Sequence, residues 1–157
     1  MPLGLIAGPA LNRAVFVLVT ISKLTVWPAS LAGPALIDVA QPDICHAGGI
    51  SELRKIAALA EACYVKIAPH NPNGPVATMA SAHLAAAIPN FLILEFAQQP
   101  LREDVQRQGL VVRDGWAELP DRPGLGIELN DEVIDAHPYE PGNYEPAFSA
   151  DGAVADI

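Results

Sequence analysis

Between Leu36 and Glu95 the chain repeats one pattern: a short apolar run, a turn, an alanine-rich amphipathic stretch, then the next run. "LIDVAQ" (36–41) is β-branched and stops at Pro42-Asp43. "SELRKIAALAEAC" (51–63) places Leu53, Ile56, Ala57 and Ala60 on one helical face at i, i+3, i+4 and i+7, with Ser51 as its expected N-cap. The strand "YVKIA" (64–68) follows, then the turn "PHNPNG", then a helix over "PVATMASAHLAAA" (75–87) with Pro75 suited to its first turn. "FLILE" (91–95) is the third expected strand. Strand, helix, strand, helix, strand at a repeat of about 30 residues reads as consecutive βαβ units. Such units require a parallel sheet with right-handed crossovers, which sets the class as α/β.

The flanks differ from this centre. No Asp or Glu precedes Asp38, and residues 1–36 carry four prolines and no sustained period of 2 or 3.6. Their apolar run, "AVFVLVTI" (14–21), is shorter than the roughly 18–20 residues of a membrane span. Residues 99–157 are rich in Pro and acid and read as turns and extended pieces. The expected organisation is therefore 1–36 as a separate segment, 37–98 as the βα unit and 99–157 as a tail. A net charge of −9 disfavours phosphate backbones and anionic membranes as partners. Cys45 and Cys63, the only two cysteines, lack metal or disulfide spacing and are expected to be small buried residues of a cytoplasmic protein.

In parallel α/β folds, chemistry gathers at the C-terminal edge of the strands. Asp43, His70 and Glu95 stand at three successive strand ends, 27 and 25 residues apart, one βαβ step each. A carboxylate beside an imidazole fixes its tautomer and raises its basicity, as a general base near neutral pH requires. Glu95 would donate to a developing oxyanion if protonated, or act as a second acid. The plainer alternative is a helix-capping acid and a solvated turn histidine; the matched spacing favours the site. Gly48-Gly49 lacks the dinucleotide-binding spacing, and His83 and His137 read as structural.

"QPDICHAGGISELRKIAALAEA", "IAPHNPNGPVATMASAHLAAAIPNFLILE" and "PDRPGLGIELN" resemble the enolase superfamily, in its mandelate racemase subgroup and nearest its galactonate dehydratase-like acid-sugar dehydratases. The resemblance runs from about residue 37 to 156. It implies the last three βα strands of a modified TIM barrel, incomplete as a barrel, with a tail that returns from about Leu119 toward a capping domain. Asp43 and His70 look like the family's Asp-His dyad, Glu95 like the acid of the last strand, and His46 like a substrate-facing residue. The implied reaction removes the proton α to a carboxylate, gives an enediolate held by Mg²⁺, and expels the β-hydroxyl to leave a 2-keto-3-deoxy sugar acid. The implied partner is a small sugar acid, and full-length members are homo-oligomers. The family's Mg²⁺ carboxylates lie on earlier strands, and residues 1–37 contain no acid to replace them. The expectation is a fragment of a longer gene, with 1–36 frameshifted or unrelated, inactive alone. The alternative is a non-catalytic piece or split-protein subunit that acts by packing with a complementary chain.

Overall fold

The structure, a computed structural model, describes residues 3–4 and 37–140. In chain order its elements are β1 (Leu3–Gly4), β2 (Val39–Ala40), α1 (Ile50–Ala62), β3 (Lys66–Ile67), α2 (Pro75–Ala87), α3 (Pro100–Asp104), β4 (Gln106–Gln108), β5 (Val111–Arg113), β6 (Trp116–Glu118), β7 (Glu128–Leu129) and α4 (Asp131–Ala136).

β2 and β3 pair in parallel with Val39 opposite Lys66 and Ala40 opposite Ile67. The same offset carries on to a bridge between Asp43 and His70. Every second residue of the later strand donates across: Lys66 N–H to Asp38 C=O at 3.0 Å, Ala68 to Ala40 at 2.9 Å and His70 to Pro42 at 3.2 Å. The expected third strand is a correction, because only Phe91 keeps bridge geometry, opposite Ile67. The remainder runs alongside on a bond from Leu92 N–H to Ile67 C=O at 2.8 Å and a longer one from Glu95 N–H to Pro69 C=O at 3.4 Å. Pro69 has no N–H to return, so the ladder loses a rung where it would otherwise continue. No barrel closes among the described residues.

The helices cover this sheet as their periodicity requires. Leu53, Ile56, Ala57 and Ala60 of α1 are all buried, packed with Ile44, Val65, Ile67, Leu84 and Ile88 in one core. Burying Leu53 and Ile56 each contributes roughly 1.5–3 kcal/mol. The expected cap at Ser51 is a second correction: the N-cap is Gly49, with φ 95°, and it makes no side-chain cap bond. The turn before it is closed by Ala47 N–H to Asp43 C=O and Gly49 N–H to Ile44 C=O, each 2.8 Å. That path needs left-handed backbone at Gly48 and Gly49, which shifts the helix start ahead of Ser51. α2 begins at Pro75 and buries Thr78 through Ala82 with Leu84 and Ala85, so it is enclosed almost all round. Asn90 staples the layers, its amide donating to Ala57 C=O and Val65 C=O, each at 3.0 Å.

Past α2 the described residues form two antiparallel pairs. β5 and β6 make a hairpin across Asp114-Gly115, both in the left-handed region that a tight primed turn needs. β4 pairs with β7, and β1 adds to the outer edge of β6. The ring of His83 on α2 meets Leu125 C=O through Nε2 at 3.0 Å, which anchors the tail to the helix layer. Among the described residues no helix is long and apolar enough to cross a membrane.

Candidate active site

Asp43 and His70 leave their strands by the same device. Each follows a proline, Pro42 or Pro69, both fully buried. Proline fixes its own φ and holds the preceding residue extended, so both strands deliver their polar side chain at a defined angle. Because the register is constant, the two arrive opposite one another.

Asp43 is 0% exposed and accepts four hydrogen bonds. Oδ1 takes the N–H of Cys45 at 2.7 Å and of His46 at 3.1 Å. Oδ2 takes Asn73 Nδ2 at 2.8 Å and faces His70 Nδ1 at 3.0 Å. Burial pushes this carboxyl up, but the backbone N–H groups of His46 and Cys45, the His70 ring and the nearby His46 outweigh it and hold the group below its ordinary value. An ionised carboxylate only accepts, so His70 Nδ1 carries the proton and Nε2 is the accepting nitrogen. Nε2 lies 4.0 Å from Glu95 Oε2, outside hydrogen-bond range, and the His70 side chain is 27% exposed.

Glu95 is placed by Asn71. The offset between β3 and the third segment is set by Ile67 opposite Phe91, which brings Glu95 level with Asn71 rather than His70. Asn71 N–H donates to Glu95 Oε2 at 3.0 Å, and its side-chain amide donates to Glu95 C=O and to Thr78 Oγ1, each at 3.0 Å. Gln41, Ala68, His70, Ile93, Leu94 and Glu95 line a cleft of about 420 Å³. His46 stands exposed on the turn after Asp43, its ring Nδ1 4.0 Å from Asp43 Oδ2. Cys45 is exposed, not buried as expected, because it occupies the outside of that turn while its N–H points inward to Asp43. Partial desolvation and the Asp43 charge push its thiol up, away from reactivity.

The structure thus brings Asp43, His70 and Glu95 to one rim, with His46 beside it. Asn71, Asn73 and Thr78 were not singled out from the sequence. Their signal, an Asn-Pro-Asn turn, has the composition of any tight turn. Mg²⁺ does not fit the described residues. Among them no group of three His, Cys, Asp or Glu side chains could hold a metal ion, and all the lone pairs of Asp43 face N–H donors.

A family profile described as enolase C-terminal domain-like matches residues 29–133. A D-galactonate dehydratase family member of Streptomyces bingchenggensis is 41% identical over 136 residues, covering 84% of this chain and 33% of the relative. D-xylonate dehydratase of Haloferax volcanii is 42% identical over 113 residues, covering 71% of this chain and 27% of the relative. The crystal structure of an enolase from Pantoea ananatis with bound D-gluconate and Mg aligns with a TM-score of 0.71 and 33% identity, over 82% of this chain and 32% of that one. The chain spans about a third of the length of these proteins. With a profile matched over most of its described length and the parallel βα unit in place, the chain belongs to the enolase superfamily, in its enolase C-terminal domain-like family.

Proposed function

We propose that this chain carries the proton-transfer half of an acid-sugar dehydratase site. His70 is the base, Asp43 the group that orients it, and Glu95 the carboxyl across the cleft. The observation that carries this reading is the Asp43 Oδ2 to His70 Nδ1 contact at 3.0 Å, which leaves Nε2 as the accepting nitrogen at the cleft. A sugar acid lying between His70 and Glu95 would lose the proton α to its carboxylate to Nε2. The β-hydroxyl then leaves as water by taking that proton back from His70 Nε2, which restores the neutral ring, and the enol that remains tautomerises to a 2-keto-3-deoxy acid. His46, exposed on the turn after Asp43, would contact the polyol. Names of relatives support the substrate class: galactonate and xylonate dehydratases, and a neighbour with bound D-gluconate.

Electrostatic stabilisation of the doubly charged intermediate is the part these residues do not supply. One neighbour's structure holds Mg together with D-gluconate. The described residues offer no ligand set for it, so no step is assigned through a metal and the isolated chain is expected to turn over no aldonate. The test is a chimera in which residues 37–140 replace the matching segment of an active galactonate dehydratase, assayed by keto-acid formation. Activity should persist, and His70→Ala in that chimera should lower it by about a hundredfold or more. Turnover by the isolated chain, or full activity in the His70→Ala chimera, would refute the assignment.

A further inference from the structure

We propose that Asn71 and Asn73 are positioning residues: one turn locks the acids on either side of His70, the Asn73 side-chain amide holding the Asp43 carboxylate, and Asn71 holding Glu95 by its backbone N–H at the carboxylate and its side-chain amide at the carbonyl. Its functional meaning rests on His70 being the base; the geometry does not. On the Asp43 side, the N–H groups of Cys45 and His46 fix only Oδ1. A carboxylate fixed at one oxygen can still swing the other. Asn73 Nδ2, at 2.8 Å, pins Oδ2 and ties the far end of the His70 turn to the exit of β2. His70 Nδ1–H then meets a stationary acceptor, and no lone pair of Asp43 remains for a stray proton.

On the other side, the backbone alone holds Glu95 poorly. Its N–H reaches Pro69 C=O at 3.4 Å, and Pro69 returns nothing. Asn71, 1% exposed, supplies the missing grip with two bonds at 3.0 Å, one to Glu95 C=O and one to Oε2. Oε2 is the oxygen that faces His70 Nε2 at 4.0 Å. The Asn71 amide also donates to Thr78 Oγ1, so the Glu95 position is referenced to the enclosed helix α2. One turn thereby carries the imidazole and sets the distance to both of its acids.

The experiment is NMR on the isotope-labelled 157-residue chain. In the wild type the His70 ring nitrogens should report a single tautomer protonated at Nδ1. Asn73→Ala removes a donor to the charged form of Asp43, so the Asp43 carboxyl should titrate at higher pH and His70 should show mixed tautomers. Asn73→Asp, which keeps the shape and puts an acceptor against Asp43, should move both readouts further in the same direction. The Asn71 backbone amide proton should shift as Glu95 ionises, and that shift should vanish in Glu95→Gln. Core amide resonances report whether each variant keeps the fold. Unchanged Asp43 and His70 signals in both folded Asn73 variants, or an Asn71 amide indifferent to Glu95→Gln, overturns the proposal. In the chimera, Asn73→Ala should lower kcat about ten- to a hundredfold with KM changed by less than about threefold. If spectra move as expected but the His70→Ala chimera stays active, the positioning is upheld and the base assignment falls. The opposite pattern, an inactive His70→Ala chimera with unmoved spectra, sinks the positioning alone.

Discussion

A buried carboxylate stays charged only if donors replace its water, and Asp43 has four. Its folded value lies below the ordinary 3.8, so the group stabilises the fold at pH above that value. The contribution is lost as pH falls through the lower, folded value. Asp43→Asn removes the charge with little change of shape and turns one acceptor into an NH₂ group facing donors. At pH 7 it should destabilise the chain by about 2–4 kcal/mol, because two donors then face an NH₂ group at a fully buried site and the charge that strengthens the remaining bonds is gone. Below about pH 3.8 the gap to wild type should narrow, because the unfolded wild-type chain then takes up the proton that folded Asp43 resists. Urea unfolding of both proteins at pH 7 and pH 3 checks this; a gap that is constant with pH would contradict the linkage.

The start of α1 separates what pattern can and cannot reveal. Its buried face was legible in the 3.6-residue spacing of Leu53, Ile56, Ala57 and Ala60, and α2 begins at the proline that marks it. Its cap was not legible, because the cap is set by the turn that closes from Ile44 and Asp43 onto Gly49 and Ala47. A serine at the right spot has the side chain of an N-cap but not the backbone. Similarly, the 27-residue spacing of Asp43 and His70 equals the β2–β3 register and so foretold their meeting. The missing Pro69 rung and the Asn71 grip on Glu95 belong to tertiary bonding, which alternation of apolar residues does not encode. Two substitutions discriminate the caps. Ser51→Ala should change stability by less than about 0.5 kcal/mol, where loss of a working cap costs about 1 kcal/mol. Gly49→Ala should cost roughly 1 kcal/mol or more, since a Cβ there finds open space but its backbone holds φ +95°. Thermal unfolding with the reverse order would restore Ser51 as the cap.

At the scale of the molecule, charge and coordination make opposite demands on the acids. A formal charge of −9 attracts cations diffusely, and salt screens that attraction over about 8–10 Å. A hard divalent ion needs something different: about six oxygens converging on one point, several of them carboxylate. The described acids do not converge. Asp43 is spent on N–H donors, Glu95 Oε2 is held by Asn71, and Glu132 pairs loosely with Arg107 at 3.8 Å. Titration calorimetry of the isolated chain with Mg²⁺ should therefore show weak, non-saturating heats that shrink when salt rises from about 0.01 M to 0.15 M. Glu95→Gln should leave those heats essentially unchanged, because a diffuse atmosphere does not depend on one side chain. A single saturable site with micromolar affinity that survives 0.15 M salt would contradict this. If Glu95→Gln abolished such a site, the rim that holds His70 would be a metal site after all; if it did not, the ligands would lie among acids outside the described residues, Glu145, Asp151 and Asp156.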